Sequence, residues 1–310
     1  MSGTGSQPPP TASVMIPVFN AARFLPGIFR ALAAQRPRPP AEIILVDSMS
    51  ADGTAALADG QPGVRRIPIA NFSHGRARNL GAREARGDVL VMLSQDALPC
   101  GENWLAELLA PFADERVAAA YSRQIPRPDA NPMERYFLET HFPAGEPVRR
   151  AKQGNETLTL EKVFFSNVSS AVRRELLLKH PFDETLIMSE DQQLSRDLME
   201  QGYAVVYAPA SVVIHSHNYT LGVVFRRYFD SVYSLRVIFP KHGLDTSASM
   251  GLRYLAREAA HIATKHPLSL PYYALYTMAK SGGTLAGHWA ERMPRRVARR
   301  LSLHRYHWAG

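Results

Sequence analysis

The chemistry-bearing residues of this chain stand where apolar runs stop. Asn20 follows Ser13-Val14-Met15-Ile16-Pro17-Val18-Phe19, and Asp47 closes Glu42-Ile43-Ile44-Leu45-Val46. Asp96 comes just after Val89-Leu90-Val91-Met92-Leu93, separated from it by Ser94 and Gln95. His215 and His217 end the run Val212-Val213-Ile214, and the acids Glu190 and Asp191 follow Ser189 at the start of a helical pattern. Carboxylate and imidazole with few other ligands suit a divalent cation that keeps open positions for phosphate oxygens, as Mg2+ or Mn2+ does, and histidine tilts the choice slightly to Mn2+. Taken singly, each has a structural use: Asp96 opens a turn before Pro99, and paired acids steady a helix N-terminus through its dipole. Their convergence on one edge is what favours chemistry.

That convergence depends on a parallel sheet. Runs as uniformly apolar as Val89–Leu93 suit strands buried on both faces between helices, and open sheets of this kind bind ligands at the carboxyl edge. The first apolar run, a helix with Phe24, Leu25, Ile28, Phe29 and Leu32 on one face, and the run Glu42–Asp47 form a βαβ unit, whose loops share one edge. A short strand over Val64–Ile67 precedes Asn71–Ala82, a loop entering a helix rich in small residues, where free amides and arginines favour an anion. A helix is expected over Asn103–Phe112 and a strand over Val117–Tyr121. From Arg123 to Glu161 no periodicity is visible, and a segment that long and irregular is expected to be a binding loop or lid. Strand and turn resume at Val163–Ala171, Ser189 is the expected N-cap of the following helix, and Tyr203–Tyr207 is expected as a strand separate from the run Val212–Ile214. The chain beyond Tyr219 reads as helical.

Composition narrows the classes. With 310 residues the chain can bury a full core, and its single cysteine, Cys100, excludes an intramolecular disulfide framework and a multi-cysteine zinc site and fits a reducing compartment. Residues 1–12 are expected to be a disordered leader, and neither a signal peptide nor a membrane span is visible, so a cytosolic protein is expected, with the inner face of the cell membrane as a second location. The net charge of +8 is concentrated at the end, where Arg292, Arg295, Arg296, Arg299, Arg300 and Arg305 lie near Tyr306 and Trp308. Arginines among Trp and Tyr suit an anionic membrane surface; a solvated basic helix is the plainer alternative. A nucleic-acid binder is supported by the arginine cluster alone, so no nucleic-acid partner is expected. A nucleotidyltransferase would need a Gly- and Lys-rich phosphate loop that residues 17–20 do not offer.

The order of the motifs resembles the family 2 glycosyltransferases of GT-A fold, and among them the bacterial polysaccharide rhamnosyltransferases. The resemblance rests on Val14–Asn20, Glu42–Thr54, Phe72–Ala82, Ser94-Gln95-Asp96-Ala97, Ser189-Glu190-Asp191 and His215–Tyr219, and spans roughly residues 13–235. It implies a Rossmann-like α/β fold with a mixed, mainly parallel sheet flanked by helices, a catalytic domain over 13–235 and a helical, basic C-terminal region over 236–310. By position it places Pro17, Asn20, Asp47, Arg78, Gln95 and Asp96 around a nucleotide sugar, with Asp47 accepting from a pyrimidine imide N–H and Arg78 near the pyrophosphate. Asp96 is the second carboxylate of the family's Asp-x-Asp motif, Ser94 replaces the first, and His215 or His217 completes the metal shell, with His215 favoured. Asp191 matches the catalytic base, and Glu190 a support or acceptor contact. The implied reaction is an inverting, metal-dependent transfer of a sugar, L-rhamnose from dTDP-rhamnose, to a saccharide or lipid-linked acceptor. Thymidine and uridine donors look alike at this level.

Overall fold

The computed structural model describes residues 10–239 and 244–308. They divide into two units: Met1–Ile125, Phe142–Glu184 and Glu190–His215 carry the sheet, while Pro126–His141, Thr185–Ser189 and Ser216–Gly310 are helical. The expected boundary at residue 235 falls within a continuous helix, Leu221–Ile238. Of the expected leader, residues 1–9 lie outside the described residues, and Ala12 already belongs to the first strand.

The nine described strands are β1 (Ala12–Val18), β2 (Glu42–Asp47), β3 (Val64–Pro68), β4 (Val89–Leu93), β5 (Leu98–Pro99), β6 (Val117–Ile125), β7 (Val148–Ala151), β8 (Ser169–Arg173) and β9 (Ala204–Ile214). They form one sheet in the order β3-β2-β1-β4-β8-β6-β9-β5, with β7 also on β9. The β3-β2-β1-β4 half is parallel, as is the β6–β9 pair, whereas β8, β5 and β7 each pair antiparallel. Two reversals around β8 leave β6 and β9 running the same way as β4, so the ends of β1, β2, β4 and β9 lie along one edge. Val14, Met15, Ile16 and every residue of β4 are fully buried, which is why the sequence there is apolar without alternation.

Small residues set how closely the helix His74–Glu84 lies on the sheet. A Cβ on Gly81 would meet the Met15 side chain at 2.4 Å, and one on Gly75 would meet the Asp183 carbonyl oxygen at 2.7 Å. Ser73 caps this helix by accepting from the Arg76 N–H.

Two expectations are corrected here. The segment from Arg123 to Glu161 is no irregular loop: it completes β6, forms the helix Pro132–His141, and returns as the edge strand β7. That helix buries Met133 and Leu138, and β7 carries Arg149 and Arg150, so neither shows a full apolar face in the sequence. The runs at 203–207 and 212–214 belong to one strand, β9, whose register with β6 breaks between Ala208 and Val212. Pro209, which cannot donate to a ladder, sits in that break.

The helical unit contains Leu221–Ile238, Leu244–Lys265, Leu270–His288 and Arg295–Leu301 besides Pro132–His141. Gly283 and Gly287 bring Leu270–His288 so close to Leu221–Ile238 that added Cβ atoms would lie 2.2 and 2.4 Å from the Phe225 and Phe229 carbonyl oxygens. Asp230, fully buried, accepts from the backbone N–H groups of Leu303 and His304 and so ties down the chain after the last helix. Among the described residues no helix is long and apolar enough to cross a membrane.

Candidate active site

At the β1 and β2 ends the polar residues are fixed by neighbouring loops. Pro17 lies past the last rung between β1 and β4, where β1 pairs with β2 alone and a missing N–H costs least. Asn20 has φ +50°, and its side chain accepts from the Ala51 N–H at 3.0 Å while its own N–H donates to Ser50 Oγ at 2.9 Å. Asp47 is 2% exposed; its Oδ1 accepts from the Ser50 N–H and hydroxyl at 3.0 and 2.6 Å, and its Oδ2 faces Arg66 at 3.3 Å. Gln95 grips the first loop in both directions, accepting from the Phe19 N–H at 2.7 Å and donating to the Phe19 carbonyl at 3.2 Å. Its observed role is to position the loop beside Asp96.

The far end of the sheet brings up the histidine. β5 pairs with β9 in the register Leu98↔Ile214 and Pro99↔Val213. Asp96, two residues before Leu98, thereby meets His215, one residue after Ile214, with His215 Nε2 3.6 Å from Asp96 Oδ1. Gln124, at the end of β6, orients the ring: its Nε2 donates to Ser166 Oγ at 3.0 Å, which turns its Oε1 to the His215 Nδ1 at 3.0 Å. In the neutral ring this contact assigns the proton to Nδ1 and leaves the Nε2 lone pair facing the Asp96 carboxylate. With the ring neutral, Nε2 and Asp96 Oδ1 are two ligand atoms that could share a cation. Ligands of one ion with bonds of about 2.0–2.3 Å stand roughly 3–4 Å apart, so the separation fits a divalent metal. His217, the third expected ligand, stands two residues after His215, at the start of the helical unit. Its backbone N–H donates to Glu134, and its ring stacks on Tyr219.

The acids at the helix Glu190–Glu200 take different environments. Glu190 is buried against Arg78, with Oε1 2.6 Å from the guanidinium. Burial pushes its carboxyl up, but Arg78 and His74 outweigh that and hold it below the usual carboxylate range. Arg78, expected near a pyrophosphate, spends its charge here and also donates to the His74 carbonyl. Asp191 is half-buried and accepts from the N–H groups of Asn167 at 3.2 Å and of Gln192 at 2.9 Å. Burial and the neighbouring negative charge of Glu190 push its carboxyl up to about 7, the range that suits a base working near neutrality. The link to the Asp96 side is short: the Ser94 N–H donates to the Val168 carbonyl, and the N–H of Asn167, the next residue back, donates to Asp191. Ser189 is not the extended N-cap its type suggests, since it has φ +65°.

Sequence reasoning misses Gln124, Asn167 and Asn79. Asn79 exchanges hydrogen bonds with the Phe182 N–H and carbonyl, both at 2.9 Å, and also donates to Glu184, which anchors the segment leading toward Glu190. A glutamine ending an apolar strand is the one signal that marked Gln124; Asn167 and Asn79 act through partners remote in sequence.

A model of the family described as "Glycosyl transferase family 2" matches residues 13–180. The chain is 30% identical over 302 residues to the O-antigen chain rhamnosyltransferase RfbN of Salmonella typhimurium, across 96% of this chain and 95% of that protein. It is 29% identical over 304 residues to the O-antigen chain rhamnosyltransferase WbaN of Salmonella anatum, across 96% of each. The mannosyltransferase PcManGT from Pyrobaculum calidifontis, solved in complex with GDP-Man and Mn2+, is similar in fold with a TM-score of 0.60 at 19% identity, over 90% of this chain and 86% of that one. The expected GT-A fold is thus the observed one, and the chain, a glycosyltransferase, belongs to glycosyl transferase family 2.

Proposed function

We propose that the chain transfers L-rhamnose from dTDP-rhamnose, with inversion, to a saccharide or lipid-linked saccharide in bacterial surface polysaccharide synthesis. The O-antigen rhamnosyltransferase relatives support the sugar and the pathway class. Dependence on a divalent cation rests on one observation, the Asp96–His215 pair with its ring nitrogen committed to Gln124.

In this reading Asp47 and Asn20 hold the nucleoside, and Asp96 with His215, joined by His217, holds Mg2+ or Mn2+. Asp47 accepts equally from thymine or uracil, so a UDP-sugar is the nearest competing donor. A cation held there would supply charge neutralisation for the departing diphosphate. Asp191 takes the proton of the acceptor hydroxyl as that oxygen bonds to C1 of the sugar; the bond from C1 to the phosphate oxygen breaks, and dTDP leaves with the electron pair. Glu190, its charge spent on Arg78, supports Asp191 rather than reacting.

Asp191 acts only when ionised. Because its carboxyl is raised to about 7, transfer should climb with pH through neutrality and fall about tenfold per unit below it. Asp191→Asn should lower the rate of dTDP release by about 10²–10⁴-fold and erase that pH dependence, while dTDP-rhamnose still raises the melting temperature in the presence of Mn2+. Turnover retained in Asp191→Asn removes the base assignment, and indifference of wild type to every nucleotide sugar removes the donor assignment.

A further inference from the structure

The helix Leu270–His288 has an outer face that nothing among the described residues covers or explains. Its inner face carries Tyr273, Gly283 and Gly287, all buried, and its charged residue, Lys280, is turned inward to the buried Glu258 at 3.4 Å. At 100° per residue, Leu275, Met278, Leu285 and Trp289 fall together on the opposite side, in line with Leu268 just before the helix. These side chains are 47%, 64%, 65%, 43% and 97% exposed, respectively. The outer face of a helix about 28 Å long thus presents aliphatic and aromatic groups without a single charge. An ordinary solvated helix puts its charges there.

Positive charge borders the stripe. The Arg292 guanidinium lies 4.7 Å over the Trp289 ring, and Arg295, Arg296, Arg299 and Arg300 on the next helix are all exposed. We infer that Leu270–His288 lies flat on an anionic lipid surface, with Leu275, Met278 and Leu285 among the acyl chains, Trp289 at the headgroup level and the following arginines against lipid phosphates. An apolar face beside a basic one is the pattern of helices that lie in the membrane interface, where neither attraction alone suffices. A second copy of the chain fits less well, because a symmetric contact on this face would bring two sets of exposed arginines together. The inference stands apart from the donor and metal assignments: it involves none of the residues around Asp96 and Asp191.

The test is flotation of the full chain with vesicles of phosphatidylcholine alone or with about one-third phosphatidylglycerol. The protein should float with the anionic vesicles, remain below with the neutral ones, and release as salt is raised. Leu275→Glu, Met278→Glu and Leu285→Glu combined should lower partition at least tenfold with the thermal melt unchanged. Should that variant fail to fold, Arg295→Gln, Arg299→Gln and Arg300→Gln combined, confined to exposed side chains, should lower it several-fold and flatten the salt dependence. Equal flotation with neutral vesicles, or none with either, overturns the inference. So does a concentration-dependent dimer that the glutamate variant converts to monomer without any effect of lipid.

Discussion

In the β3-β2-β1-β4 half of the sheet, Asn20 and Asp47 stand at or just beyond the ends of their own strands and are fixed close by: Asn20 by Ser50 and Ala51 of the next loop, Asp47 by Ser50 of its own loop and Arg66 of β3. In the other half the decisive partners are remote in sequence. Asp96 reaches His215 through a two-residue strand, the ring is turned by Gln124 from β6, and Asp191 is held by Asn167, which precedes β8. The contrast separates two tasks. The first half forms a cradle that parallel order alone provides; the second assembles the proposed base and cation ligands, whose placement depends on long-range register.

Removing Arg78 should break the contrast most severely, because its ion pair with Glu190 joins a helix of the first half to the helix that begins at Glu190. Both partners are buried, so Arg78→Ala strands a charge and should destabilise the chain by about 3–5 kcal/mol, read by chemical denaturation. Loss of less than about 1 kcal/mol would show that the two halves are held together elsewhere.

Gln124→Leu attacks the second half alone. The His215 ring loses the acceptor that fixes its tautomer, and Mn2+ affinity should fall about 10–100-fold, with dTDP-rhamnose binding weakened only as far as it depends on the ion. An unchanged Mn2+ affinity by isothermal titration would mean that Gln124 does not set the ring.

Asp47→Asn addresses the first half and should have the smallest effect. The Ser50 bonds can be kept while the charge facing Arg66 is lost, so KM for the donor should rise about tenfold, or about 1.4 kcal/mol, with Mn2+ affinity untouched. A loss of Mn2+ affinity in this variant would erase the distinction between the halves.

The same division explains what the sequence discloses. β1, β2 and β4 are legible because burial on both faces demands continuous apolar residues, and Asn20, Asp47 and Asp96 stand out where those runs stop. Beyond β6 the signal weakens: the helix Pro132–His141 buries two side chains, β7 is an edge strand with two arginines, and Pro209 splits β9 into what reads as two strands. The role of Gln95 as a loop clamp and the pairing of Arg78 with Glu190 depend on partners 76 and 112 residues away, which no local pattern encodes. Ser189 misleads for a related reason: its type suggests a cap, while the bend into the helix requires a positive φ. The exposed apolar stripe on Leu270–His288 is a third case, since its residues look like core until their exposure is known.

The central claim is that Asp96 and His215 together hold the cation on which donor binding depends. Titrating Mn2+ by electron paramagnetic resonance in the presence of dTDP, for wild type, Asp96→Asn and His215→Ala, tests it most directly. A dTDP-dependent Mn2+ site in the wild type, weakened at least tenfold by either substitution, is the predicted result. Equal Mn2+ binding in all three proteins, or none in the wild type, would contradict it.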